Sequence, residues 1–203
     1  MDKSFSVKFA RFISTLFVPP SFTILIFTYF AFALEAVLFK RITILLVTLI
    51  FGFALHIALF VLFKKKGRLV DMDATIKEER TIPFLISAVF YIIGLVILIT
   101  QHINVISIAF WFCYISNIII VILINKYWKI SVHALGASGA LAALFFAIGP
   151  AALFFIFIPV IVGWSRVKLK CHTVTQVLAG GVLGFCSTYL QMTLIVNWFG
   201  YAK

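Results

Sequence analysis

Long, unbroken apolar runs constrain this sequence more than any other feature. Residues 83–101 and 105–125 contain no charged side chain, and each is close to the roughly 20 residues that a helix needs to cross a bilayer. The chain is 64% hydrophobic and 11% charged, whereas a soluble domain is about half apolar and about a quarter charged. Continuous rather than alternating apolar runs satisfy their backbone hydrogen bonds in lipid as helices. We therefore predict an all-α, polytopic transmembrane helix bundle.

The number of spans depends on how one apolar region is divided. The fifth and sixth segments meet at Gly149-Pro150, a pair that predicts a break between two helices. A single kinked helix over 132–165 is the alternative, and it would give six spans and invert the later connections. We prefer seven, since 132–165 is too long for one crossing. The predicted segments are 21–39, 42–63, 83–101, 105–125, 132–148, 151–165 and 173–198.

The remaining boundaries follow from the distribution of polar residues. Residues 1–18 mix basic and apolar side chains and predict an N-terminal interfacial helix. The only sizeable hydrophilic connection is a basic loop, 64–82, which is too short to fold alone. We therefore treat 1–203 as a single transmembrane domain.

Charged residues concentrate on one face of the predicted bundle. With seven spans, the N-terminal face holds fourteen Lys and Arg residues, and the other face holds Lys40, Arg41 and Lys203. Basic residues mark the cytoplasmic side of a membrane protein. We therefore expect a bacterial inner-membrane protein with its N-terminal face in the cytoplasm. The fourteen are Lys3, Lys8, Arg11, Lys64, Lys65, Lys66, Arg68, Lys77, Arg80, Lys126, Lys129, Arg166, Lys168 and Lys170.

Polar residues that could carry chemistry form three clusters on the same face. The first is the basic loop, and the second is Ser131-Val132-His133 at the start of the fifth segment. The third is Ser165-Arg166, followed by His172 and Gln176. His172 and Gln176 are four apart and share a face on a helix, so the amide can reach the imidazole. We regard 131–176 as the motif-bearing region.

The third cluster, S-R-x5-H-x3-Q, resembles the S-R-x5-H-x3-D signature of the type-2 phosphatidic acid phosphatase superfamily of membrane lipid phosphatases. The Ser131-Val132-His133 cluster is similar to that family's P-S-G-H signature, with Ile130 and Val132 in place of Pro and Gly. The family's first signature, K-x6-R-P, is matched loosely by Lys77, Arg80 and Pro83 with a compressed spacing. The three clusters occur in the family's order.

This resemblance implies hydrolysis of a lipid phosphate held in the bilayer. The nucleophile would be His172, which would form a phosphohistidine, and His133 would serve as general acid and then general base. No metal, organic cofactor or nucleic acid is implied. Gln176 stands where the family has Asp, so it can fix the ring tautomer but supplies no negative charge. The residues expected to bind the phosphate are Arg166, Lys77, Arg80, Ser131 and Ser165.

Two other functions remain open at the level of sequence. Asp71 and Asp73 form a D-x-D pair that could bind magnesium in a prenyl or phosphatidyl transferase. A non-catalytic protein that binds or transports an anionic lipid would also explain the basic loop. Either aspartate could replace the carboxylate that Gln176 lacks, if the loop folds over the site. No carboxylate side chain follows Arg80.

Two further features have competing explanations. His56 lies mid-membrane, where ionisable residues are candidates for function, but a neutral histidine bonded to a backbone carbonyl is an equal alternative. Glycine pairs on two predicted helices indicate close helix packing without any ligand. These pairs are Gly136 with Gly139 and Gly180 with Gly184.

Overall fold

The computed structural model describes the backbone of residues 5–201 and the side chains of residues 5–199. It is 84% helical, and the described part contains no strand. This confirms the predicted all-α, polytopic bundle. Asp2, Lys3 and Lys203 lie outside the described residues.

Eight α-helices follow one another between residues 5 and 201. Helix α3 contains a π-helical stretch, Thr48–Ala54. Short 3-10 turns, Glu78–Arg80 and Gly149–Phe155, precede α4 and follow α6. The helices are α1 (Phe5–Leu16), α2 (Pro19–Leu34), α3 (Leu38–Lys65), α4 (Thr81–Thr100), α5 (Val105–Tyr127), α6 (Val132–Ile148), α7 (Phe157–Lys168) and α8 (Val174–Tyr201).

Within the described range, five helical stretches are long and apolar enough to cross a membrane. They are α3, α4, α5, α8 and the combination Val132–Phe155. Helices α1 and α2 meet at a 54° bend and give a sixth span if they count as one. The predicted segments 21–39 and 151–165 correspond to α2 and α7, which have only 16 and 12 residues. At about 1.5 Å per residue, neither matches the roughly 30 Å of a hydrocarbon core. The preferred count of seven spans is therefore wrong, and the described residues give five or six.

Helix α4 shows why lipid rather than water surrounds the bundle. Between its two terminal threonines, its exposed side chains are large and apolar, and they recur every three or four residues at Ile82, Leu85, Val89, Ile92, Val96 and Ile99. Its opposite face is buried and carries polar groups, among them Ser87 and Tyr91. A helix with apolar residues outward and polar residues inward fits a bilayer.

The break predicted at Gly149-Pro150 is confirmed. Gly149 ends α6 with a φ of 66°, a left-handed conformation that glycine adopts without a Cβ penalty. The chain then returns through the 3-10 turn and α7. Arg166, near the end of α7, contacts Ser14 and Asp73, which line the same cavity as His133 at the start of α6. Helices α6 and α7 are therefore antiparallel and bring the second and third clusters to one face.

Close packing of α6 on α8 sets the distance between these two clusters. A Cβ added at Gly180 would lie 2.5 Å from the Ser131 carbonyl oxygen, and one at Gly184 would overlap the Leu135 carbonyl. The backbone N–H of Ser131 also donates to the Gln176 carbonyl at 3.2 Å. The prediction that the Gly180/Gly184 pair serves helix packing is confirmed.

Helix α1 covers most of the segment predicted as an N-terminal interfacial helix. It buries Ala10, Ile13 and Ser14 and exposes Phe5 and Phe12. Its buried side packs on α7, so α1 forms one wall of the site.

Candidate active site

A cavity of about 850 Å³ opens into the bundle at the N-terminal face. Its polar end is formed by Arg11, Asp73, Arg80, His133 and His172. Its other walls are largely apolar and include phenylalanines at positions 53, 60 and 84. A cavity with one charged end and apolar walls suits an amphiphile.

His172 lies in the short connection between α7 and α8, and its side chain is 7% exposed. Its Nδ1 atom is 3.1 Å from Gln176 Oε1. The same oxygen accepts the backbone N–H of Thr173 at 3.2 Å. An amide oxygen can only accept, so Nδ1 carries the proton and the Nε2 lone pair is left available. The amide thus reaches the imidazole, as the four-residue spacing predicts.

The surroundings of His172 favour its neutral form. Burial lowers the pKa of His172 to about 3, and the positive charges of Arg80, Lys129 and Arg166 act in the same direction, while the Gln176 hydrogen bond opposes them weakly. At neutral pH the imidazole is uncharged, which is the form that can act as a nucleophile.

His133 lies in the first turn of α6 and lines the same cavity. Its Nε2 atom is buried and has no hydrogen-bond partner among the described residues. The helix begins at Ser131, whose hydroxyl accepts the Ala134 N–H at 3.4 Å. Ser131 therefore acts as an N-cap and positions His133 instead of lining the cavity.

Arg166 is fully buried beside the cavity. Its Nη1 atom donates to Asp73 Oδ1 at 2.5 Å and also to the Ser14 hydroxyl. Its Nε and Nη2 atoms have no partner in the described part of the chain. A buried guanidinium with two unused donors is a strong candidate for binding an anion.

Asp73 shows that the basic loop folds over the site. One carboxylate oxygen accepts from Arg166 and the other from Arg11, each at 2.5 Å. Burial alone would raise the pKa of Asp73, but Arg166 and Arg11 outweigh it and lower the pKa to about 2. Asp73 therefore pairs with Arg166 and does not replace Gln176 as the hydrogen-bond partner of His172.

The other predicted phosphate-binding residues differ in where they lie. Arg80 lines the cavity, with its Nε donating to the Ala74 carbonyl at 2.6 Å and Nη1 to the Ile130 carbonyl at 3.1 Å. Lys77 instead donates to the Lys126 carbonyl at 3.2 Å. The Ser165 hydroxyl donates to the Val162 carbonyl at 2.7 Å. The structure thus gathers His133, His172, Gln176, Arg80 and Arg166, and it places Lys77, Ser131 and Ser165 in structural contacts.

Three residues at the site had no role assigned from sequence. Arg11 and Ser14 come from α1, and Lys129 donates to the Cys171 carbonyl at 2.7 Å. Arg11 and Asp73 are 62 positions apart, and Ser14 and Arg166 are 152 apart. Such separations leave no local spacing signal.

The two aspartates of the D-x-D pair have separate partners. Asp71 accepts the Thr75 N–H at 3.2 Å and the Thr75 hydroxyl, while Asp73 binds the arginines. No group of three His, Cys, Asp or Glu side chains within the described residues is placed to hold a metal ion.

Comparison with protein-family models, curated proteins and solved structures found no match to this chain.

Proposed function

We propose that this protein is a membrane lipid-phosphate phosphatase that hydrolyses a lipid phosphomonoester or diphosphate through a phosphohistidine. The observation that carries the proposal is that His133 and His172 line one cavity, with Arg80 in its wall and Arg166 buried behind it. The resemblance of the S-R-x5-H-x3-Q cluster to the lipid phosphatase signature supports the same assignment.

The cavity matches both ends of such a substrate. A phosphate monoester carries up to about two negative charges, which require cationic donors. Arg80 and Arg11 line the polar end, and Arg166 has unused donors next to it. The lipid tail would lie along the phenylalanines that line the deeper part of the cavity.

In the first chemical step, His172 attacks the phosphorus atom. Its Nε2 lone pair forms the N–P bond while the bond to the ester oxygen breaks, and that electron pair leaves with the alkoxide. The negative charge of the bound phosphate stabilises the protonated form of His133, which donates its proton to this oxygen and so releases the alcohol. Gln176 holds Nδ1–H, so the positive charge on the phosphorylated ring is solvated by an amide rather than neutralised by a carboxylate.

In the second step, neutral His133 takes a proton from water. The resulting hydroxide attacks phosphorus, the N–P bond breaks, and its electrons return to Nε2 of His172. Inorganic phosphate leaves, and both histidines return to their starting protonation states.

Asp73 must yield Arg166 to the substrate in this scheme. In the structure it holds Nη1 of Arg166, a donor that a phosphate oxygen would use. Substrate binding would exchange one anionic partner for another, so Arg166 is never left buried without a counter-charge.

The test is release of inorganic phosphate from lipid phosphates by the purified protein in detergent or nanodiscs. We expect turnover by the wild type and a loss of at least about a thousandfold in His172→Ala. Quenching in alkaline detergent, in which a phosphohistidine survives, should trap label from a lipid phosphate radiolabelled at phosphorus on the wild type and on His133→Ala, but not on His172→Ala. Full activity in His172→Ala would overturn the mechanism.

Gln176 gives specific support to one alternative, a non-catalytic receptor for anionic lipids. A site without the family's carboxylate would bind phosphate but turn it over poorly. Saturable lipid binding without phosphate release would favour that function over hydrolysis. For either function, the charge bias supports a cytoplasmic location for the N-terminal face.

A further inference from the structure

A second polar cluster lies in the same cavity, in the membrane-embedded part that the proposed chemistry does not use. It consists of His56 on α3 with Ser87 and Tyr91 on α4, and all three residues line the cavity. We call it the deep polar cluster. His56 is 4% exposed and Ser87 is 1% exposed.

Two side chains of this cluster, His56 and Ser87, carry polar atoms that have no hydrogen-bond partner in the described part of the chain. Both ring nitrogens of His56 and the hydroxyl oxygen of Ser87 are buried without a hydrogen bond among the described residues. The sequence alternative that His56 bonds a backbone carbonyl is therefore wrong. Buried polar groups in proteins are nearly always paired, because leaving them unpaired costs the hydrogen bonds they had in water.

The local structure of α3 and the aromatic rings of α4 position the His56 side chain. The π-helical stretch Thr48–Ala54 ends immediately before this turn, and such stretches are frequent at functional sites. The imidazole packs against the Tyr91 ring with centroids 4.5 Å apart and meets the Phe90 ring edge-on at 5.6 Å. These contacts hold the ring without using either nitrogen.

The depth of the cluster suggests which part of a lipid it would meet. Ser87 follows Arg80 by seven positions in a continuous helix, which places it about 10 Å further into the membrane. In a glycerolipid phosphate, the ester carbonyls lie a few bonds below the phosphorus atom. A polyisoprenyl or alkyl-ether phosphate has no carbonyl at this depth.

We propose that His56 and Ser87 form a subsite that hydrogen-bonds an ester carbonyl of the lipid, with Tyr91 supporting the imidazole. A neutral imidazole N–H and a serine O–H are both donors, and an ester carbonyl accepts. Binding an ester lipid would satisfy the cluster, whereas binding a pure hydrocarbon tail would leave it unpaired. The subsite therefore selects the linkage of the lipid, in addition to its phosphate.

This inference deepens the proposed function and rests on it for the substrate class. The experiment compares a diacylglycerol phosphate with its dialkyl-ether analogue of equal chain length. For the wild type we expect kcat/KM to favour the ester by about tenfold, which corresponds to one hydrogen bond. In His56→Leu and in Ser87→Ala, kcat/KM for the ester lipid should fall toward the value for the ether lipid. The value for the ether lipid should stay nearly constant.

Ser107→Ala is the matched control. Ser107 is also fully buried with an unpaired hydroxyl, but it does not line the cavity. It should retain the full ester preference. Thermal unfolding of each variant identifies any that fail to fold. If one of the two subsite variants does not fold, the other still tests the ester preference.

Binding measurements separate this inference from the proposed hydrolysis. Affinity for both lipids is measured on His172→Ala, with and without the subsite substitutions, so that turnover is not needed. An ester preference in binding without any phosphate release would retain the subsite and reject the phosphatase. Equal kcat/KM and equal affinity for ester and ether in the wild type would overturn the subsite.

Discussion

Gln176 controls the tautomer and the orientation of His172. Its oxygen accepts the Nδ1–H of His172 at 3.1 Å. Burial, together with the surrounding cations, lowers the pKa of His172 to about 3. The imidazole is therefore neutral over almost the whole pH range in which proteins are stable. An amide, however, cannot neutralise the cation that forms when the ring is phosphorylated.

Gln176→Glu, a nearly isosteric change, tests how this side chain affects both the neutral nucleophile and the positively charged phosphohistidine. A carboxylate at this position should raise the pKa of His172 toward its ordinary value, because it stabilises the imidazolium. Since the nucleophile must be neutral, the acid limb of kcat/KM should move to higher pH. Above that limb, the rate of phosphohistidine formation should rise about tenfold or more, because the cationic intermediate is stabilised.

The measurement is a pH profile of phosphate release for the wild type and for this variant. Gln176→Leu, which removes the acceptor, serves as the control and should lower kcat on the order of a hundredfold. An unchanged acid limb in Gln176→Glu would contradict the assignment of His172 as the nucleophile held by this side chain.

At the scale of elements, the contact between α6 and α8 determines whether the two histidines can cooperate. The contact is close because Gly180 and Gly184 face backbone carbonyls of Ser131 and Leu135. The N-cap at Ser131 and the connection that carries His172 lie at the same end of this helix pair. A small increase in helix separation would therefore move the nucleophile away from the general acid.

Gly184→Ala should separate the helices. Its Cβ would overlap the Leu135 backbone, and the backbone, unlike a flexible side chain, cannot rotate away. Overpacking of this kind typically costs about 1–3 kcal/mol, so we expect a lower thermal midpoint and at least about a tenfold loss of phosphate release.

Gly136→Ala is the matched control for this helix pair. A Cβ at Gly136 would meet Pro19 at an ordinary 3.5 Å, and alanine favours the helix. Its stability and activity should remain near wild type. Equal losses in both variants would show that the α6–α8 contact is not what positions the site.

At the scale of the whole molecule, one carboxylate joins three distant segments. Asp73 in the basic loop binds Arg11 from α1 and Arg166 from α7, across 62 and 93 positions of the sequence. It closes the polar end of the cavity and balances a fully buried guanidinium. Removing one partner of a buried pair costs about 3–5 kcal/mol, because the other charge is left without compensation.

Asp73→Asn should therefore lower the thermal midpoint, and inorganic phosphate should restore it. Phosphate would take the place of the missing carboxylate on Arg166, so it should stabilise the variant more than the wild type, where Asp73 competes. The measurement is the thermal midpoint against phosphate concentration.

Asp71→Asn is the control for this titration. Asp71 is bonded only to the nearby Thr75 in the contacts that the structure describes, so its loss should not alter the response to phosphate. An equal response to phosphate in the wild type and in Asp73→Asn would show that the carboxylate does not occupy the anion site.

The sequence by itself determined the class of fold and much of the motif geometry. Uncharged apolar runs allow only helices in lipid, Gly149-Pro150 marks a real break, and the spacing of His172 and Gln176 fixes a local contact. These features depend on neighbours within a few residues. The short α2 and α7 were harder to define, since hydropathy does not show where a helix bends.

Only the tertiary structure decided which charges meet. The sequence could not distinguish the buried Arg166 and Arg80 from Lys77, which bonds a backbone carbonyl away from the cavity. Nor could it place Asp73 on Arg166, because that contact joins segments 93 positions apart. Electrostatic pairing and burial depend on distance in space, and in this chain the packing of α1, α6, α7 and α8 sets that distance.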